Sequence, residues 1–109
     1  VDEAYMEFSS GSVLSLTAQT NNLIVLKTFS KAFGMAGIRL GFAVASPQIA
    51  RALDAARSPY NVNAMTQAVG TLLLRQKDYL EECGKMGVLS LYNIRFEGDW
   101  ASLIILRLK

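Results

Sequence analysis

Leu23-Ile24-Val25-Leu26 is an apolar run of the kind a buried strand needs, and the residues after it restrict the fold more than anything else in the chain. The run ends at Lys27-Thr28 and gives way to Phe29-Ser30-Lys31-Ala32-Phe33-Gly34-Met35-Ala36-Gly37, a loop of small residues punctuated by glycine. Gly34, Gly37 and Gly41 let a backbone turn sharply and approach a ligand closely. A second run, Ile38 to Ala45, predicts a strand lying near the first, over residues 22–28. One lysine, Lys31, therefore sits on a tight loop between two strands, with a hydroxyl (Ser30) before it and a guanidinium (Arg39) beyond it. A lysine amine condenses with carbonyls, and serine and arginine hold phosphate. Pyridoxal phosphate presents both groups.

Ser30-Lys31-Ala32-Phe33-Gly34, followed by Ala36-Gly37-Ile38-Arg39-Leu40-Gly41, closely resembles the cofactor-lysine motif of the fold-type I pyridoxal-phosphate aminotransferases (class I/II). Within that superfamily it is most similar to the histidinol-phosphate aminotransferase-like group. Val1-Asp2-Glu3-Ala4-Tyr5, with Glu7-Phe8 following, resembles the same family's aspartate–tyrosine element, and the spacing from Asp2 to Lys31 suits it. The likeness runs from Val1 to about Leu74 and weakens beyond.

The resemblance implies a role for each residue. Asp2 would keep the proton on the cofactor's pyridine nitrogen, since an opposite charge at close range favours the charged form. Tyr5 would donate a hydrogen bond to the ring oxygen. Lys31 would hold the cofactor as a Schiff base and then act as the catalytic base. Ser30 and Arg39 would bind its phosphate, with Thr28 close enough to assist. Without that context, a lysine after a strand is ordinarily a solvated surface charge, and Arg39 a strand-edge cap. The two motifs together reverse this.

The fold class implied is α/β: part of the pyridoxal-phosphate transferase large domain, a mostly parallel sheet with flanking helices, plus the start of the small domain. Residues 1–74 would be a segment of the large cofactor-binding domain. Residues 75–109 would be a connecting helix and a partial, divergent small domain. The activity implied is amino-group exchange between histidinol phosphate and 2-oxoglutarate, in histidine biosynthesis. Its partners are a small-molecule amino donor and a 2-oxo acid, with a homodimer as the complete enzyme. An aromatic aminotransferase, a threonine-phosphate decarboxylase and a noncatalytic interaction module stand as alternatives.

Ser46-Pro47 predicts a helix start, with serine as cap and proline in the first turn, and Ile49, Ala52, Leu53 and Ala56 as its apolar face. After Pro59 a second helix is expected from Ala64 to about Gly84. Its inward stripe reads Met65, Ala68, Val69, Leu72, Gln76, Tyr79, Leu80 and Cys83. Arg57 to Asn63 resembles the segment that closes over the family's active site near the substrate. Val88 to Phe96 and Ala101 to Leu108 have strand character, whereas Glu97-Gly98-Asp99-Trp100 matches nothing in the family pattern.

Composition narrows the alternatives. The 109 residues are 51% hydrophobic and 18% charged, with a net charge of +2, which describes a globular unit and gives no basis for binding nucleic acid. No apolar run reaches the roughly 20 residues of a membrane helix. The single cysteine, Cys83, rules out an internal disulfide and suits a reducing cytoplasm. With no histidine, Ser-His-Asp, Cys-His and histidine–metal sites cannot be assembled, and no metal is expected. Asp2-Glu3-Ala4 also matches the acidic box of helicase-type ATPases, but no Gly-x-x-x-x-Gly-Lys-Ser/Thr loop accompanies it. The family's Gly-rich phosphate turn, ring-stacking residue and substrate arginine are not found, and Arg107 in its apolar strand is a poor substitute. The chain is expected to be the middle of an enzyme and inactive alone.

Overall fold

The computed structural model describes residues 1–76, Asp78, Tyr79, Glu82 and Cys83, and the backbone of 103–107. Three strands form one sheet: β1 (Ile24–Thr28), β2 (Leu40–Ala45) and β3 (Leu103–Arg107), in that order. Both pairings are antiparallel, from Ile24 opposite Ala45 to Thr28 opposite Gly41, and from Leu40 opposite Arg107 to Val44 opposite Leu103. These strands are a small antiparallel piece, and the mostly parallel sheet expected of the large domain would extend beyond them. A loop that turns straight back pairs its strands antiparallel, whereas parallel neighbours need a crossover connection. Among the described residues parallel pairing occurs at one place, a bridge between Asp2 and Leu26, where Leu26 N–H donates to Val1 O and Glu3 N–H to Leu26 O, each at 2.9 Å.

Two helices come after β2. Helix α1 (Pro47–Ala56) starts after Ser46 with proline in its first turn, as its sequence predicts, though the Ser46 side chain makes no capping bond. Helix α2 (Ala64–Arg75) is capped by Asn63, whose side chain accepts from Thr66 N–H at 2.9 Å. Helical backbone recurs at Asp78-Tyr79 and Glu82-Cys83. The expected strand over 88–96 lies outside the described residues.

The core is aromatic. Phe29, Phe33, Leu40, Phe42, Val62 and Leu73 are buried together, and the Phe29 ring lies 5.3 Å from both Phe33 and Phe42. Rings at this separation and tilt gain about 0.5–1.5 kcal/mol per pair beyond their burial. Tyr79 closes one side by donating its hydroxyl to Phe33 O at 2.9 Å.

Both helices are rotated from the expected stripes. On α1 the buried residue is Ala50, flanked by half-buried Ile49 and Leu53, while Ala52 and Ala56 are exposed. On α2 the inward face is Thr66, Val69, Gly70 and Leu73; Met65, Ala68 and Leu72 point to solvent. The cause is Gly70. A Cβ there would lie 2.5 Å from Leu40 Cδ2, so its absence sets how closely α2 approaches the sheet. Leu40 is fully buried and has nowhere to retreat. Overpacking costs roughly 1–3 kcal/mol, against about 1 kcal/mol gained by replacing glycine inside a helix. Gly70→Ala should therefore lose about 1 kcal/mol of stability in urea unfolding, and Gly70→Val more. A gain in stability for Gly70→Ala would show that helix α2 is not held at this distance.

Candidate functional site

The chain leaves β1 at Thr28 and returns at Leu40, and the intervening loop carries most of the residues singled out in the sequence. Phe29 N–H donates to Leu40 O at 3.1 Å, which closes the loop at its base. Within it, Gly34 N–H bonds Lys31 O and Met35 N–H bonds Phe29 O, each at 2.9 Å. Gly34 has φ +67, a conformation that suits glycine. Phe29 and Phe33 bury their rings on either side of Lys31, which is exposed between them. The lysine is thus held by its neighbours and free at its amine.

Thr28 and Ser30 form one unit. Thr28 Oγ1 accepts from Ser30 N–H at 3.1 Å and donates to Leu40 O at 3.3 Å. Ser30 Oγ is buried without a hydrogen-bond partner, which is costly for a hydroxyl unless a further group is to meet it. Tyr5 comes from the N-terminal segment, and its ring lies 5.0 Å from Lys31 Nζ, in cation–π geometry. Asp2 is exposed, bridged to Leu26 on β1, and its Oδ1 accepts from Ala4 N–H at 2.9 Å.

Arg39 stands apart from these residues. Its backbone is left-handed (φ 52), and its guanidinium donates to Ala36 O at 3.2 Å, with no hydrogen bond to Ser30 or Lys31. It borders a shallow concavity of about 80 Å³ whose wall includes Gly37, Ile38, Val62, Asn63 and Thr66 at the start of α2. Thr66 Oγ1 donates to Ile38 O at 3.2 Å and ties that helix to the loop. Tyr60 is 90% exposed and lines none of this, whereas Asn61 is half-buried and accepts from Arg57.

A further cluster joins Lys27, outside both motifs, to Glu3 and Glu7 of the second, to which the motif assigns no role. Lys27 on β1 is buried, with Nζ 2.9 Å from Glu3 Oε2 and 2.9 Å from Glu7 Oε1. Glu3 also accepts from Ser12 Oγ and Val13 N–H, each at 2.8 Å. Burial on its own pushes the Glu3 carboxyl up. The bonds from Lys27, Val13 and Ser12 and the Lys27 charge outweigh it, holding the group below its ordinary value of 4.5. The signal was available: strand side chains alternate, so Lys27 falls on the face of Val25 and Phe29 and must be buried with a counter-charge.

These features define an α/β loop-lysine site whose exposed amine faces a tyrosine ring beside a buried, unpartnered hydroxyl. The chain belongs to the aminotransferase class I and II family, whose model matches residues 1–87. Among its relatives, a histidinol-phosphate aminotransferase of Ruminiclostridium cellulolyticum is 44% identical over 74% of this chain and 23% of that protein. One from Desulfitobacterium hafniense strain Y51 is 48% identical over 75% of this chain and 23% of its own length. One from Geobacter sulfurreducens is 39% identical over 94% and 27%. The chain therefore spans about a quarter of the length of the curated relatives it matches.

A carboxyl whose folded pKa is depressed stabilises the fold above its unfolded pKa and loses that contribution as the pH falls through the folded value. Stability measured in urea from about pH 7 down to about pH 3 should accordingly fall on the acid side of 4.5. Glu3→Gln should be less stable near neutrality and show a flatter acid limb. An acid limb identical to that of the unaltered protein would remove Glu3 from this role.

Proposed function

We propose that this chain is the lysine-bearing segment of a pyridoxal-phosphate-dependent aminotransferase acting on histidinol phosphate and 2-oxoglutarate, with imidazole-acetol phosphate and glutamate as products. The observation that carries the reading is Lys31, exposed on a closed loop with the Tyr5 ring 5.0 Å from its amine. Family membership and relatives bearing the name histidinol-phosphate aminotransferase support it. In this reading residues 1–74 belong to the large cofactor-binding domain. Residues 75–109 are the connecting helix and a partial small domain, with 103–107 meeting the sheet along β2. The complete enzyme is a cytoplasmic homodimer, and no helix among the described residues is long and apolar enough to cross a membrane.

The residues present fit the cofactor. Ser30 Oγ, buried and without a partner, is a donor waiting for a phosphate oxygen. Arg39 on the same loop would add a charge-assisted donor once its side chain turns from Ala36 O, and Thr28 Oγ1 fixes the backbone of Ser30. Asp2 would hold a proton on the ring nitrogen, and Tyr5 would donate its hydroxyl to the ring oxygen. Bound in this way, the cofactor supplies an electron sink for charge developing at the substrate's alpha carbon. Lys31 Nζ would hold the cofactor at its carbonyl, with loss of water, and once released would move the proton at that alpha carbon. The amine's freedom beyond two buried phenylalanines suits that change of role, because the backbone stays fixed while the side chain swings.

The decisive measurement uses the full polypeptide carrying this segment. Borohydride reduction in the presence of pyridoxal phosphate, followed by peptide mapping, should label Lys31, and Lys31→Ala should abolish both label and transamination of histidinol phosphate. Label on Lys27, Lys77, Lys85 or Lys109 instead would overturn the assignment.

Arg39 makes a separate case. A charge-assisted bond to phosphate is worth about 1.5–3 kcal/mol, so Arg39→Ala should raise the cofactor dissociation constant by one to two orders of magnitude. Arg39→Lys should recover part, since it keeps the charge without the planar fork. Equal affinities in titration for the alanine variant and the unaltered protein would return Arg39 to a purely structural role.

A further inference from the structure

Lys27, Glu3 and Glu7 are the most deeply buried charges among the described residues, and the proposed chemistry uses none of them. Their positions in the chain are informative. Glu3 comes after Asp2, Glu7 stands two residues past Tyr5, and Lys27 lies on the strand that runs into Ser30 and Lys31. Backbone pairing between the N-terminal segment and β1 ends at Glu3, whose N–H bonds Leu26 O. From there to Ser9 the backbone bonds are local: Met6 to Glu3, Phe8 to Tyr5 and Ser9 to Met6. The polar link from this turn back to the strand is Glu7 to Lys27. Tyr5 itself is exposed and meets the site through its 5.0 Å approach to Lys31.

Stability alone is a poor reason for such a cluster. Two carboxylates share one ammonium, and Glu7 Oε2 is buried with no partner. A well-packed apolar trio in the same space is often as stable or more so. What charged, directional contacts add is a fixed relative position, set here from two sides of one ammonium. Glu3 extends that hold to Ser12 and Val13, so the segment beyond the turn is fixed as well.

We propose that the Glu3–Lys27–Glu7 cluster is a positioning device: it locks the turn carrying Asp2 and Tyr5 onto the strand that delivers Ser30 and Lys31, holding Tyr5 at the lysine. This role rests on the reading of Lys31 as the cofactor lysine. The three residues act through Asp2, Tyr5 and Lys31 and touch no substrate.

The test uses the full polypeptide with pyridoxal phosphate, tracking the visible absorption of the lysine-bound cofactor, its affinity and the pH midpoint of its colour change. In the unaltered protein a visible band must form; its absence would sink the cofactor reading and this inference together. Lys27→Met, checked for folding by circular dichroism, should bind the cofactor at least about tenfold more weakly, with a displaced midpoint, as a small misplacement of reacting groups predicts. Lys27→Arg, which keeps the charge, should restore most of both. If Lys27→Met does not fold, Glu7→Gln, which changes no volume and leaves the Glu3 pair intact, carries the same test of the midpoint. A folded Lys27→Met or Glu7→Gln with affinity and midpoint unchanged would overturn the positioning role while leaving Lys31 as the cofactor lysine.

Discussion

Residues 29–39 leave the sheet and re-enter it beside their point of departure, and the site exists because those two ends are joined. Thr28 opposite Gly41 is the last pair of the ladder, and the bond from Phe29 N–H to Leu40 O sits just beyond it. Closing a loop costs chain entropy, which rises slowly with loop length and must be offset by what the closed loop buries. Phe29, Phe33 and Leu40 supply that offset, since all three are almost wholly removed from water. Lys31 is exposed because the aromatic rings two residues before and after it are not.

Beneath the loop, the face of the sheet bearing Phe42 is divided between an aromatic region and an ionic one. Lys27 and Phe42 are direct cross-strand partners and project to the same side. Placing an ammonium beside phenylalanine rings is tolerable only when carboxylates replace its water, as Glu3 and Glu7 do. The aromatic region is contributed by the loop, β2, Val62 and α2, and the ionic region by β1 and the N-terminal turn. Two distant parts of the chain are thereby referred to neighbouring strands of one sheet by two kinds of force, one nondirectional and one directional.

Much of this was readable in the residues. The motif at Ser30–Gly34 and the pair at Asp2 and Tyr5 pointed to one family, and Tyr5 does meet Lys31 across the twenty-odd residues that separate them. Strand β1 begins two residues later than the strand expected over 22–28. Strand β2 does likewise, because Ala36–Ile38 form a short 3-10 turn and Arg39 takes the left-handed conformation. Ser46-Pro47 marked α1 correctly. The inward face of α2 differs from its expected stripe for one reason. Apolar residues occupy nearly every side of α2, so periodicity alone could not set its phase, and the deciding residue was a glycine with no hydrophobicity to count. The ionic cluster is harder to see, because Lys27 looks like an ordinary lysine beside the Lys31 motif, although its register in the strand directs it inward.

Arg39 carries a further consequence. A left-handed backbone costs a residue with a side chain roughly 1–2 kcal/mol that glycine is spared, and Arg39 is the one non-glycine residue with positive φ among the described residues. Backbone and side chain therefore have opposing preferences at this position. Glycine would relax the chain and delete the cation, lysine would keep cation and strain alike, and a β-branched residue would lose on both counts. A variant chosen for thermal robustness would drift towards glycine here, and one chosen for holding an anion would drift back. The position makes durability and ligand retention competing objectives at a single codon, so improvement of one should be sought elsewhere in the chain.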